Sequence, residues 1–181
     1  MNFVATTLPG VVVIEPDVLE DERGFFMETW NLKAFQAAGI DATFVQDNHS
    51  QSRMNTLRGL HYQIEHAQGK LVRVVAGEIF DVVVDLRESS PSLGAWTGVD
   101  LSSTNRKMIW VPPGFAHGFL TLSRVAEVCY KTTDFYEPAF ERTIRWDDRD
   151  LNIEWPLREA PPLLSAKDTN GTDFNHAAMS K

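Results

Sequence analysis

A cation, a glycine, a histidine and a tyrosine interrupt an otherwise apolar, strand-like run at Thr56-Leu57-Arg58-Gly59-Leu60-His61-Tyr62-Gln63. An imidazole can take and return a proton near neutrality, because its unperturbed pKa is about 6.5. Arg58 and His61 are an odd number of residues apart, so in a flat strand they face opposite ways. Gly59 between them allows a bulge or bend that aims both at one cavity. The competing reading is an edge strand whose polar residues are solvated. A second imidazole, His117, follows the turn Pro112-Pro113-Gly114 and precedes Gly118 at a strand start. Alone it reads as a structural histidine; a second histidine entering from His61 weakens that reading.

Other residues admit two readings each. Gln46 and Asn48 share parity, so two amide side chains can point at one ligand, or the stretch is a polar loop after a short strand. Arg23 precedes, and Glu28 lies within, an alternating segment over residues 25–30; the two line a polar pocket or form a surface ion pair. Tyr130 sits among small and apolar neighbours, where a phenol is usually core with its hydroxyl satisfied. A first-row metal site wants at least three imidazole or carboxylate ligands at suitable spacing. His61 has no His-x-His partner, and His49, His66 and His176 lie in polar segments, so neither a metal nor another cofactor is expected.

The elements that must position these residues are short strands. Residues 11–14 are β-branched and end near Pro16, and Asp21-Glu22-Arg23-Gly24 is a turn. The clearest helix runs from an Asn31 N-cap to a Gly39 stop, with Leu32 and Phe35 on its inward face. Leu71-Val72-Arg73-Val74-Val75, a turn at Ala76-Gly77-Glu78 and a strand to Asp85 make the best hairpin signal. In that strand Phe80, Val82 and Val84 are expected to face the core, with Asp81, Val83 and Asp85 opposite. Further strands are expected over residues 96–101, 107–111, 126–135 and 141–146, with Trp155 packing back on the barrel. Many short strands, frequent Gly, Pro and Asp turns and one good helix predict an all-β antiparallel sandwich or jelly roll, whose mouth is the natural ligand site.

Composition sets the bounds. A chain of 181 residues with 43% hydrophobic and 23% charged residues suits one globular domain over residues 1–181. A net charge of −8 argues against a nonspecific nucleic-acid binder but not against a small anionic ligand held by a few local cations. Cys129 is the sole cysteine, which suits a reducing cytoplasm. The N-terminus lacks a basic region and is broken by Pro9 and Gly10, so it does not read as a signal peptide. No apolar stretch reaches the roughly 20 residues that span a bilayer, and no membrane role is expected.

Seven motifs in order give the pattern a family likeness. They are Asp21-Glu22-Arg23-Gly24-Phe25-Phe26-Met27-Glu28, Gln46-Asp47-Asn48-His49-Ser50, Leu57-Arg58-Gly59-Leu60-His61-Tyr62-Gln63, Gln68-Gly69-Lys70-Leu71-Val72-Arg73, Phe80-Asp81-Val82-Val83-Val84-Asp85, Pro113-Gly114-Phe115-Ala116-His117-Gly118-Phe119 and Leu164-Ser165-Ala166-Lys167-Asp168. The set resembles the dTDP-4-dehydrorhamnose 3,5-epimerases from about residue 23 to residue 168. The resemblance implies a metal-free, cupin-type jelly roll with a few short helices. It also implies a homodimer with exchanged N-terminal strands. It implies inversion at carbons 3 and 5 of dTDP-4-dehydro-6-deoxy-D-glucose on the route to dTDP-rhamnose. It further implies His61 as base, Tyr130 as the acid on the opposite face, Lys70 as the cation near the developing oxyanion, and Asp168 as the carboxylate that orients His61, with Asp81 as rival orienter. For binding it implies Arg23, Arg58 and Lys167 near the diphosphate and Glu28, Gln46 and Asn48 near the nucleoside. Phe26 and Tyr136 are stacking candidates, His117 a sugar contact, and Glu141 a further binding position. Arg23, Phe26 and Glu28 belong to the segment that crosses to a neighbouring subunit. Residues 169–181 fall outside the likeness and are expected to form a loose tail. An epimerase acting at one carbon only, or a noncatalytic sugar-binding cupin, stays open as an alternative.

Overall fold

The computed structural model describes residues 1–158 and 160–179. The strands are β1 (Asn2–Ala5), β2 (Val12–Glu15), β3 (Val18–Asp21), β4 (Gly24–Met27), β5 (Gln46–Arg53), β6 (Leu57–Gln63), β7 (Lys70–Ala76), β8 (Glu78–Asp85), β9 (Trp96–Ser102), β10 (Met108–Val111), β11 (Phe115–Thr121), β12 (Val125–Thr132) and β13 (Glu141–Thr143). Helix α1 spans Leu32–Ala37, the one-turn α2 spans Ala166–Thr169, and a 3-10 turn covers Phe174–His176.

Two sheets face each other. One has six strands in the order β1-β2-β10-β7-β12-β5, the other five in the order β13-β6-β11-β8-β9. β3 and β4 form a separate two-stranded ribbon. The strand pairings described are antiparallel, and the expected all-β sandwich is what forms. Residues from both sheets, including Val72, Val74, Val128, Ile79, Val83 and Phe119, fill the space between them. Full burial of such side chains contributes about 1.5–3 kcal/mol each.

Each sheet is also covered on its outer face, which sequence alternation does not reveal. α1 lays Phe35 on Ile14, Leu71, Met108 and Trp110 of the six-stranded sheet. Asn31 caps it by accepting from the Lys33 and Ala34 amides, and the chain leaves through Gly39 at φ +81°. Leu32 does not share the inward face: it is exposed, because a helix this short offers one buried position, taken by Phe35. On the five-stranded sheet, Val82 and Val84 pack outward against Leu151 and Trp155, with Phe80 at the margin. Val83 faces the interior instead, so both faces of β8 are core.

The expected β7–β8 hairpin does not form. β7 pairs with β10 and β12, whereas β8 pairs with β9 and β11 in the other sheet. Gly77, at φ +75°, turns a corner between sheets, where a Cβ would lie 2.1 Å from the Val125 carbonyl oxygen. The local turn chemistry is the same for a hairpin and for a sheet-to-sheet corner; the difference lies in the partners each strand finds.

The stretch expected to be a loose tail is laid down against the barrel through residue 179. The Thr172 amide donates to the Thr143 carbonyl at 2.9 Å, and the Arg145 amide to the Thr172 carbonyl at 3.0 Å. The Phe174 amide donates to the buried Asp148 carboxylate at 2.7 Å, and Phe174, Ala177 and Met179 pack on the outer cluster. The last two residues of that stretch, 180 and 181, lie outside the described residues.

Candidate active site

The site begins with a bulge. His117 of β11 pairs with His61 of β6, yet Phe119 pairs with Arg58, so three steps on β6 match two on β11. The extra residue reverses the parity, and Arg58 and His61 both line one cavity. Gly59 and Gly118 make the bulge possible. A Cβ on Gly118 would lie 2.7 Å from the Arg58 carbonyl oxygen, and one on Gly59 would lie 2.6 Å from the Gly118 Cα. Only glycine on both strands lets the backbones approach this closely.

Two imidazole–carboxylate pairs stand side by side on this sheet. His61 Nε2 meets Asp168 Oδ1 at 2.5 Å, and His117 Nε2 meets Asp81 Oδ2 at 2.8 Å. Of the two rival carboxylates it is thus Asp168 that contacts His61, while Asp81 contacts His117. Asp168 arrives on α2, and Ser165, the N-cap, donates from Oγ to Asp168 Oδ2 at 2.7 Å. Burial pushes the Asp168 carboxyl up, but hydrogen bonds from His61, Ser165 and the Gly59 amide outweigh it and leave the group below its usual pKa. A carboxylate on Nε2 keeps the proton of neutral His61 there and leaves Nδ1 as the basic nitrogen. Asp81 is fully buried, which raises its carboxyl despite the opposing pull of His117.

The opposite sheet supplies Lys70 from β7 and Tyr130 from β12, on strands that pair with each other. Burial lowers the Lys70 ammonium to about 8, an effect the charge of Glu141 only partly offsets. Burial also raises the Tyr130 phenol, with the Arg58 charge opposing and Glu141 adding, so the phenol is protonated at neutral pH. The cavity of about 330 Å³ thus has imidazoles on one wall and a phenol and an ammonium on the other.

Around these groups the cavity is lined by Gln46, Asn48, Arg58, Tyr136, Glu141 and Lys167. Gln46 and Asn48 point the same way from β5; Gln46 donates to Asn48 Oδ1 at 2.9 Å and accepts the Tyr136 amide at 3.1 Å. Glu141 accepts from the Tyr136 hydroxyl at 2.9 Å and pairs with Lys167 at 2.6 Å. Arg58 spends Nε on Ser52 and Nη2 on the Gln51 carbonyl, which fixes its fork on the rim. Ser50, Gln63, Gln68, Phe119 and Val128 also line the space and carry no expectation from sequence. Ser50 was within reach of the parity rule that picked out Gln46 and Asn48; the others are placed by chain pairing alone.

Arg23, Phe26 and Glu28 are not in this cavity. They lie on or beside the β3–β4 ribbon, where Arg23 pairs with Asp21 at 2.5 Å and Glu28 accepts from Asn31 at 3.1 Å. Arg106 fastens the ribbon, pairing with Glu20 at 2.6 Å and stacking over Phe25. Among the described residues no three His, Cys, Asp or Glu side chains gather closely enough to hold a metal ion. No described helix is long and apolar enough to cross a membrane.

Comparison with known proteins places the chain among relatives. A sequence model of the dTDP-4-dehydrorhamnose 3,5-epimerases matches residues 5–176. The chain is 56% identical over 176 residues to a dTDP-4-dehydrorhamnose 3,5-epimerase from Shigella flexneri, covering 96% of each. It is 54% identical to one from Pseudomonas aeruginosa, covering 98% of each. A crystal structure of a dTDP-6-deoxy-D-glucose-3,5-epimerase from Legionella pneumophila in complex with dTDP-4-keto-L-rhamnose superposes with a TM-score of 0.96 at 46% identity. That match covers 99% of this chain and 97% of the other. With its two facing sheets, its paired imidazoles and this degree of likeness along nearly its whole length, the chain belongs to the dTDP-4-dehydrorhamnose 3,5-epimerase family.

Proposed function

We propose that the cavity inverts carbons 3 and 5 of dTDP-4-dehydro-6-deoxy-D-glucose to give dTDP-4-dehydro-L-rhamnose. Both carbons are α to the ketone, so their protons become acidic once the enolate oxygen is stabilised. His61 Nδ1 takes the proton, and the electron pair moves onto the ketone oxygen. The Lys70 ammonium, itself buried, faces that charge where its field is less screened than in bulk water. Tyr130 returns a proton to the carbon from the opposite face. Solvent then resets both groups, and the same set acts at the second carbon. Arg58 and Lys167 hold the diphosphate, Gln46 and Asn48 hold the nucleoside, Tyr136 stacks on thymine, and His117 and Glu141 contact the substrate.

The single observation that carries this reading is the placement of an imidazole and a phenol on opposite walls of one cavity. A binding module has no use for a base and an acid on two sides of a sugar. Arg23, Phe26 and Glu28 serve the cavity of a second copy in a homodimer. Support comes from the ribbon, whose Leu19, Phe25 and Phe26 are each more than half exposed.

The test is substitution. His61→Ala lowers kcat by about 10²–10⁴-fold, the usual range for a general base, while dTDP affinity stays close to wild type. Tyr130→Phe retains more solvent exchange into the substrate than net inversion. Wild-type turnover by His61→Ala would remove the assignment.

A further inference from the structure

Ser165 has no part in the scheme above, yet its hydroxyl touches the carboxylate that holds the base. Its Oγ accepts from the Asp168 amide at 3.2 Å, which is an ordinary N-cap bond. The same Oγ donates to Asp168 Oδ2 at 2.7 Å. The other oxygen, Oδ1, receives His61 Nε2 at 2.5 Å and the Gly59 amide at 3.4 Å. Both oxygens are thereby committed, and the plane of the carboxylate is fixed. The Asp168 side chain is 3% exposed, while Ser165 itself stands at the surface over it. Among the described residues Ser165 Oγ is the one hydrogen-bond partner of Oδ2, whereas Oδ1 has two.

We propose that Ser165 is a positioning residue for proton transfer: its hydroxyl locks the Asp168 carboxylate so that Oδ1 holds the His61 ring with Nδ1 free to act. This rests on His61 being the base. The signal was present in the sequence as Ser-x-x-Asp, the spacing of an N-cap and an acidic residue at the third helical position.

A cap and a carboxylate donor are separable by substitution. Ser165→Asp keeps an N-cap of equal quality but cannot donate to Asp168 and sets a like charge against it. Ser165→Ala loses both functions, and Ser165→Thr keeps both. The expected result is a fall in kcat of about tenfold or more for the Asp and Ala variants, with KM little changed. In Ser165→Asp the acid limb of the pH profile of kcat/KM moves to higher pH, because extra negative charge beside His61 favours the imidazolium. Ser165→Thr restores most of the rate, with a melting temperature near wild type. Wild-type kcat in Ser165→Asp, or a loss that follows the melting temperature with the pH limb unmoved, would overturn the proposal. His61→Ala measured alongside separates the two levels. If it turns over normally, the function reading fails; if it is inactive while Ser165→Asp and Ser165→Ala are unimpaired, only the role of Ser165 fails.

Discussion

At the scale of single residues, Lys70 shows the tension between stability and use most plainly. Its ammonium is buried, and its folded pKa of about 8 lies below the ordinary value of 10.5. A lysine depressed in this way binds its proton more weakly folded than unfolded. At pH 7 this amounts to about 3 kcal/mol against folding, and the penalty shrinks as pH rises from 8 toward 10.5. Lys70→Met is therefore expected to raise the neutral-pH stability by a few kcal/mol, read as a higher urea midpoint, and to abolish most turnover. The same value sets an activity limb. If the protonated amine faces the enolate, kcat/KM falls as pH climbs through about 8. Lys70→Arg, charged at every accessible pH, should show no such limb even where its rate is low. The family likeness marked Lys70 as a cation for the oxyanion, but not its depressed pKa; the burial that perturbs the amine is a property of the assembled cavity.

At the scale of elements, the catalytic geometry rests on the β6–β11 bulge. The odd spacing of Arg58 and His61 with a glycine between them anticipated it, because parity is a local property of a strand. What the sequence left unspecified was the partner glycine. Gly118 stands out beside His117, but nothing local marks it as the atom-scale space for Gly59. Gly118→Ala is expected to cost about 1–3 kcal/mol by overpacking. It should also lower kcat more than that stability loss explains at temperatures where the variant is folded, since it pushes the two histidines out of register. Thermal unfolding and steady-state kinetics on one preparation check both. The misread corner at Gly77 teaches the complementary lesson. Alanine-Gly-Glu between two β-branched runs is a valid hairpin signal. Only the burial of successive residues Val82, Val83 and Val84 on both faces of β8 marks the strand as the middle of a covered sheet. That burial depends on residues such as Leu151, Trp155 and Phe174 folding over it, and of these only Trp155 was expected to pack back on the barrel.

At the scale of the whole molecule, a chain of net charge −8 gathers Arg58, Lys70 and Lys167 around one cavity, which suits an anionic substrate in an acidic protein. Arg23, Phe26 and Glu28 stand apart on the ribbon, and a dimer that exchanges these segments would bring them to a neighbour's cavity. Co-refolding Arg23→Ala with His61→Ala tests this. Each mixed dimer then holds one site with both residues intact, and activity should rise well above either parent. No rise on mixing would keep Arg23 out of the partner's site. The most direct measurement of the central claim is turnover of the 4-keto sugar in deuterated water. An imidazole and a phenol working across one ring predict deuterium at both carbon 3 and carbon 5 of the product, and none with His61→Ala. Deuterium at one carbon alone, or undiminished incorporation without His61, would contradict it.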